Sequence, residues 1–501
     1  MKNEIKSGAI LGYLNIFATI IVTLVYTPIM LNLVGKSEYG LYSLVSSITM
    51  YLSVLDMGFG NAMIRFSSKS QAKGEDDSKI NGMFLLLYII IGIVAFIIGI
   101  IMVINVDAIF SASLTESELN KAKLLMFIMV LNIALTFPLS TFTSYAMAHE
   151  KFKFLKLLAL LKTIATPVFT LPLLMIGYKS VAMVLVTVLV SLSINVMIMI
   201  YSLLKLRMKI DFKLKSFDTG LFKEISVYSF YIFLNLIVDQ IYRNTDQVIL
   251  GAVSGTIVVT IYSLASQINQ MNILFSTAIS GLFLPKITKT LETKDADKKL
   301  SNIFIKVSRL QIYVLLLFLT GFIIFGNTFI TLWVGKDYID VYYIVLLLIT
   351  PSIVPLTQNI CISIIQAKNK HKFRSIVYIF VAVLNIIISI PLAKMWGGIG
   401  AAIGTALATI LGQIIVMNIY YYKVINIDIP TYWKNFTKIL LPILIVSIIL
   451  KYLIANITLG WIKLFIFACI YGIIYLIYIY LLLDKDEKIY INGIIKKVFK
   501  A

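Results

Sequence analysis

Apolar residues along this chain come in long unbroken runs, not in the two-residue alternation of a half-buried strand. Fourteen such runs occupy residues 9–33, 39–62, 81–104, 122–146, 157–177, 180–204, 224–250, 256–283, 303–325, 340–365, 375–393, 398–422, 436–456 and 461–483. An α-helix rising about 1.5 Å per residue needs roughly 20 apolar residues to cross the hydrocarbon of a bilayer, so each run predicts one membrane-spanning helix. Barrel strands alternate and are about half that length, which excludes a β-barrel. The first run is longer than a signal-peptide core and lacks a small-residue cleavage site after it, so it is expected to remain as the first span. The closest separations, 177–180 and 393–398, hold Gly177, Gly397 and Gly398, the residues of tight turns. The pattern predicts an all-α polytopic membrane protein of about 14 helices.

Composition agrees: 60% of the 501 residues are hydrophobic and 14% charged. The net charge of +20 would suit nucleic acid, but the 44 Lys and Arg residues lie mostly in short connections on the amino-terminal side of the spans. Such a bias orients a membrane protein, placing both termini in the cytoplasm and making anionic membrane lipids, with no nucleic acid, the expected partner of the basic surface. The tracts KLRMKIDFKLK (205–215) and AKNKHKFR (367–374) are the richest inner segments, whereas the outer connection AVSGT (252–256) has no basic residue. Cys361 and Cys469 fall in apolar runs and read as packing residues. His149 and His371 lie in short inner loops, and no Gly-rich nucleotide loop followed by Lys-Ser/Thr is present. An enzyme is not expected, and neither a cofactor nor a metal is called for.

The chain repeats itself. LYSLVSSI (41–48) aligns with IYSLASQI (261–268) at an offset of 220, and PLLMIGYKSVAMVLVTVLVSL (172–192) with PLAKMWGGIGAAIGTALATIL (391–411) at 219. Spans 1–6 therefore recur as spans 7–12. Six is an even number, so both copies enter from the same side, giving two six-helix lobes related by a parallel repeat. The implied organisation is an N-lobe over 1–204, a cytoplasmic linker over 205–223, a C-lobe over 224–422, and two appended helices with an amphipathic tail over 423–501. In that tail, IYINGIIKKVFKA (489–501), Ile491, Ile494, Ile495 and Val498 share one helical face and the lysines lie elsewhere.

LVGKSEYGLYSLVSSITMYLSVLDMGFGNAMIRF (33–66), with its YGLY turn and the D-x-G-x-G segment of Asp56, Gly58 and Gly60, resembles the polysaccharide and O-antigen flippases of the multidrug/oligosaccharidyl-lipid/polysaccharide exporter superfamily. The similarity continues through LWVGKDY (332–338) and GGIGAAIGTAL (397–407), so it covers nearly the whole chain. The resemblance implies a flippase of the bacterial cytoplasmic membrane. It would move a polyprenyl-diphosphate-linked glycan from the inner to the outer leaflet by alternating access, and the appended helices would flank a groove for the polyprenyl tail. The alternative within the superfamily is an ion-coupled multidrug exporter. Those members resemble a twelve-helix core with acidic cavities, whereas Arg65, Lys162, Arg243, Lys306 and Arg309 here outnumber Asp56, Asp239 and Asp246, which suits an anionic cargo.

Chemistry concentrates in NLIVDQIYRNTDQVILG (235–251), inside the seventh span. An Asp or Arg at a helix centre costs about 2.5–3.5 kcal/mol to insert, while each large apolar residue returns only about 0.3–0.6. Asn235, Asp239, Arg243 and Asp246 follow one another at intervals of 4, 4 and 3, so they share one helical face that must meet water or a polar partner. Two readings stay open. Arg243 is held between the two acids in a local network that lets the helix insert, or Arg243 lines a cavity and grips the diphosphate of the cargo, guanidinium donors matching phosphate oxygens. Asp239 or Asp246 would then carry a coupling H+ or Na+, as in an antiporter. On the eighth span Gln267, Asn269, Gln270 and Asn272 form an amide group that either joins helices within the membrane or lines a cavity, with Gln267 and Gln270 the candidates for sugar hydroxyls. Arg65, at the inner end of the second span, would receive the incoming diphosphate or anchor the helix. Asn15, Thr19 and Tyr26 make a weaker polar stripe on the first span. Lys162, Lys306 and Arg309 lie within two turns of inner helix ends, where snorkelling explains them. Gly58 and Gly60 allow close packing or a bend near Asp56. Thr115 with Glu118 is a capping box that starts the fourth span.

Overall fold

The computed structural model describes residues 2–211, 219–280, 287, 290–291, 293, 295–368, 370–454, 457, 460–484 and 487–488. For some helical residues, among them Asn235, Asp239 and His371, only the backbone is described. The predicted surface helix at 489–501 and residues 212–218 of the linker lie outside the described residues. Every element among the described residues is helical: α1 Lys2–Val34, α2 Lys36–Met50, α3 Phe59–Lys73, α4 Ser78–Ile104, α5 Val106–Phe110, α6 Glu116–Ala148, α7 Phe152–Met175, α8 Lys179–Ile200, α9 Thr219–Val253, α10 Thr256–Ser280, α11 Ala296–Trp333, α12 Asp340–Thr357, α13 Ile360–Ala367, α14 His371–Ala408, α15 Met417–Lys423, α16 Ile429–Ile454 and α17 Trp461–Leu482. Ten stretches among them are long and apolar enough to cross a membrane, and the protein is a multi-pass membrane protein.

Two compact units emerge. The first takes residues 1–264 with 382–404, the second 265–381 with 405–501.

In the first unit, Met63, Phe84, Tyr88 and Ala146 are fully buried at a core where α3, α4 and α6 meet. The chain folds up and down, so the connections assigned to the outside by charge gather at one end. Glu38 at the start of α2 receives Lys121 of α6 and the Ser180 hydroxyl of α8. Glu118 receives Ser37 at 2.6 Å and Thr256 at 2.9 Å. The same Glu118 completes the predicted capping box, accepting from the Thr115 backbone N–H at 2.9 Å while the Thr115 hydroxyl accepts from Glu118 N–H. At the opposite end residues 209–211 are docked: Asp211 N–H reaches Ser78 O at 3.1 Å and Asn81 reaches Lys209 O at 3.0 Å.

The repeat is visible in backbone geometry. Gly35 (φ 88°) precedes α2 and Gly255 (φ 81°) precedes α10 at the sequence offset of 220, each in the left-handed region that favours glycine. Thr260 Oγ1 donates to Lys36 O at 2.6 Å, and Gly40 lies so close to the Thr256 carbonyl that a Cβ would overlap it. Positions 36 and 256, and 40 and 260, are repeat equivalents, so each contact is the other with the copies exchanged. Reciprocity of this kind marks a local two-fold relation between the amino-terminal ends of α2 and α10.

The tight turn predicted at 393–398 falls inside α14, whose backbone breaks at Trp396 (φ −130°) and Gly397 (φ 54°). The arms fold into a hairpin in which Gly400 and Gly404 approach Leu392 O and Ser389, as small residues allow. The second predicted span is not one helix. After α2 the chain tightens into a 3-10 turn, Tyr51–Asp56, then passes through Met57 (φ 50°) and Gly58 (φ 77°) before α3 begins.

In the second unit the appended helices are tied down by polar groups. Along α17, Tyr471 OH donates to Thr320 Oγ1 at 2.6 Å and Tyr475 OH to Tyr313 O at 2.7 Å, fixing it to α11. On α16, Trp433 donates to Asn418 at 3.2 Å, and Asn418 pairs with the buried Gln358 at 2.9 and 3.2 Å. Arg309, expected to snorkel, holds Asp484 at 2.9 Å and Glu487 at 3.1 Å, both just beyond the end of α17.

Candidate functional site

The ionic stretch 235–251 lies in α9, which packs on α2, on the 3-10 turn and on α3 within the first unit. Its amides and hydroxyls explain the register. Gln240 Nε2 donates to Ser53 Oγ at 3.1 Å, Thr245 Oγ1 meets Tyr51 OH at 2.6 Å, and Gln247 accepts from Ser47 Oγ. Asn244 reaches back to Gln240 at 2.5 Å. These bonds join α9 to the discontinuity of the second span. Non-helical backbone at membrane depth persists where it is buried in protein or lines a cavity, and here α9 covers it. The break has its own carboxylate: Asp56 accepts from Tyr88 OH at 2.7 Å and from Gly58 N–H at 3.2 Å.

The predicted site residues fall into different environments. Arg243 is exposed. Asp246, three residues on, is 4% exposed and accepts from Tyr262 OH of α10. The side chains of Asn235 and Asp239 lie outside those described, though both residues are in α9. Arg65 is exposed on α3, its guanidinium carbon 5.6 Å from the centre of the neighbouring Phe66 ring. Gln267 and Gln270 are half-buried and belong to the second unit.

Sequence reasoning missed the partners Ser47, Tyr51, Ser53 and Tyr262, and the repeat contained a signal for one of them. At the offset of 220, Tyr26 is the equivalent of Asp246 and Tyr42 of Tyr262, so one pair of positions meets in both copies: Tyr26 neighbours Tyr42, and Asp246 bonds Tyr262. Asn15 and Thr19 likewise correspond to Asn235 and Asp239.

The arrangement sets a broken span against an ionic helix on which Arg243 is exposed. The chain is similar in fold to the lipid II flippase MurJ in an inward closed conformation, with a TM-score of 0.73, 20% identity and coverage of 94% of this chain and 98% of that one. It is also similar to an inward-facing multidrug resistance MATE family transporter of the MOP superfamily, with a TM-score of 0.60, 15% identity and coverage of 78% and 92%. Residues 5–291 match the family model described as "Polysaccharide biosynthesis protein", and the chain belongs to that family. A 200-residue segment is 32% identical to the probable flippase AglR of Haloferax volcanii, covering 38% of this chain and 41% of that relative. The chain thus spans about two fifths of the length of this curated relative.

Proposed function

We propose that the protein is a flippase that carries a polyprenyl-diphosphate-linked glycan across the bacterial cytoplasmic membrane, inner leaflet to outer, for surface polysaccharide synthesis. The observation that carries this reading is the exposure of Arg243 on a helix that packs against the broken second span. A guanidinium offers paired donors to phosphate oxygens, and a diphosphate is the anionic part of such a cargo. Family membership, the relative described as a probable flippase and the MurJ-like fold support the same direction. In this reading the molecule is a transporter and not an enzyme, with fourteen spans, both termini cytoplasmic and lobes at 1–204 and 224–422 joined by the linker 205–223. Arg65 receives incoming cargo, Gln267, Gln270 and Asn235 bind sugar hydroxyls, and Asp239 or Asp246 exchanges H+ or Na+ for the cargo. Anionic lipids hold the basic inner surface.

The test is translocation of a fluorescent polyprenyl-diphosphate oligosaccharide in proteoliposomes. Arg243→Ala protein that inserts in normal amount is expected to lose transport; undiminished transport removes Arg243 from the site. The likeness to multidrug transporters gives the second reading. Export of an organic cation, with no movement of the glycolipid, would select it.

A further inference from the structure

Lys162 sits apart from the residues used above, and its setting in the first unit differs from that of an interfacial anchor. It is the eleventh residue of α7, about 15 Å along the helix axis from Phe152. A snorkelling lysine extends toward the nearer membrane surface. Lys162 instead donates from Nζ to Ser191 Oγ at 3.0 Å, and Ser191 lies near the middle of α8. Its flanking neighbours Leu161 and Ile164 are the outward ones, 48% and 47% exposed, while Lys162 is half-buried and turned toward α8.

The surroundings are polar and uncharged. On the same helix Thr163 donates to Asn15 Oδ1 of α1 at 3.2 Å, and one face further along Thr170 is bonded to Tyr26. From α8, Thr187 bonds Tyr42 of α2. Hydroxyl and amide contacts thus join α1 to α7 and α8 to α2, and Lys162 joins α7 to α8 through its bond to Ser191. Among the described residues it has no acidic partner: its hydrogen bond to the Ser191 hydroxyl is the contact it makes. Among the described residues one neutral acceptor takes one of the three ammonium donors, and no carboxylate offsets the charge. Arg309 shows the contrast, since two carboxylates hold it. An intramembrane ammonium without a counter-ion is suited to an anion that comes and goes.

We propose that Lys162 is a second anion site, receiving a carboxylate or phosphate carried on the sugars of the cargo, so that the transported glycan is acidic. The inference rests on the flippase reading for the identity of the cargo. It does not depend on Arg243, which answers to the lipid diphosphate common to acidic and neutral glycans. The nearby Asn15, Thr163 and Ser191 supply the neutral hydrogen-bonding groups that a sugar acid needs around its charge.

The experiment compares two synthetic short-chain polyprenyl-diphosphate oligosaccharides of equal length, one bearing a uronic acid and one neutral. Binding is read as thermal stabilisation of the purified full-length protein, and transport as translocation in phosphatidylcholine vesicles with or without phosphatidylglycerol. Lys162→Gln is expected to weaken binding of the acidic compound at least about tenfold while leaving the neutral one within about twofold, because loss of a charge partner discriminates only against the charged ligand. Lys162→Arg is expected to retain the preference, and both variants should melt with the wild type when no ligand is present. Equal weakening for the two compounds, or no weakening, overturns the proposal, as does a transport deficit that appears only when phosphatidylglycerol is present, which would make a lipid headgroup the anion. Preferential binding of the acidic compound without transport of either would leave Lys162 an anion site and sink the flippase reading instead.

Discussion

Helices α1 and α9 occupy equivalent places in the two copies of the repeat, yet one carries hydroxyls and amides where the other carries ions. Asn15, Thr19, Thr23 and Tyr26 of α1 stand 220 residues before Asn235, Asp239, Arg243 and Asp246 of α9. In α1 the polar groups serve packing: Asn15 accepts from Thr163 and Tyr26 bonds Thr170, both on α7. In α9 comparable groups are used on the broken second span and on Tyr262, while Arg243 is exposed. One scaffold position therefore has two uses. A duplicated helix keeps its polar face because the bundle places that face against polar neighbours, and one copy can then exchange neutral groups for charges without a new fold.

Exchanging positions across the copies tests this comparison most severely. Replacing Arg243 by Ala should abolish glycolipid transport, and Lys in its place should restore only part of it, since an ammonium lacks the paired planar donors. If Thr23→Arg rescued Arg243→Ala in the same assay, the two helices would be interchangeable and the contrast would collapse. Next in size is the close approach at the local two-fold. Gly40→Val forces a branched side chain against the Thr256 carbonyl and is expected to cost about 3 kcal/mol, seen as a lower melting temperature in detergent. Its repeat counterpart Thr260→Val loses the hydroxyl shared between Lys36 O and Thr256 O, about 1 kcal/mol. Smaller again is the tyrosine pair. Tyr262→Phe removes a donor from buried Asp246 and should destabilise by about 2 kcal/mol, whereas Tyr42→Phe removes a neutral bond to Thr187 worth about 1 kcal/mol. Equal effects at the two tyrosines would show that the ionic copy is no more tightly held than the neutral one.

The smallest expected effect is on pH dependence at the cluster around Glu38 and Glu118. Burial raises the affinity of the Glu38 carboxyl for a proton, but bonds from Lys121 and Ser180 and the Lys121 charge more than offset it and hold the group below the usual carboxylate range. A depressed folded-state value means the carboxylate contributes stability that is complete above the ordinary glutamate range and lost as pH falls through the lowered one. Melting temperature should therefore be flat at neutral pH and decline in acid, and Glu38→Gln should remove part of that decline.

Much of this was legible in the chain. The runs at 81–104, 122–146 and 157–177 became α4, α6 and α7 because burial of apolar area in lipid depends on local composition alone. The Thr115–Glu118 capping box and the turns at Gly177 and Gly397 are equally local. The ionic stripe of α9 could be read from spacing, since 4, 4 and 3 residues return to one helical face.

What no local reading contained was the choice of partner. Ser47 meets Gln247 from 200 positions away, Tyr471 meets Thr320, and Asp246 takes Tyr262. The interruption after α2, the clamping of Arg309 by Asp484 and Glu487 and the inward turn of Lys162 were decided in the same way. Hydropathy and helical period state that a polar group must be satisfied, and only the packing of distant helices determines which atom satisfies it.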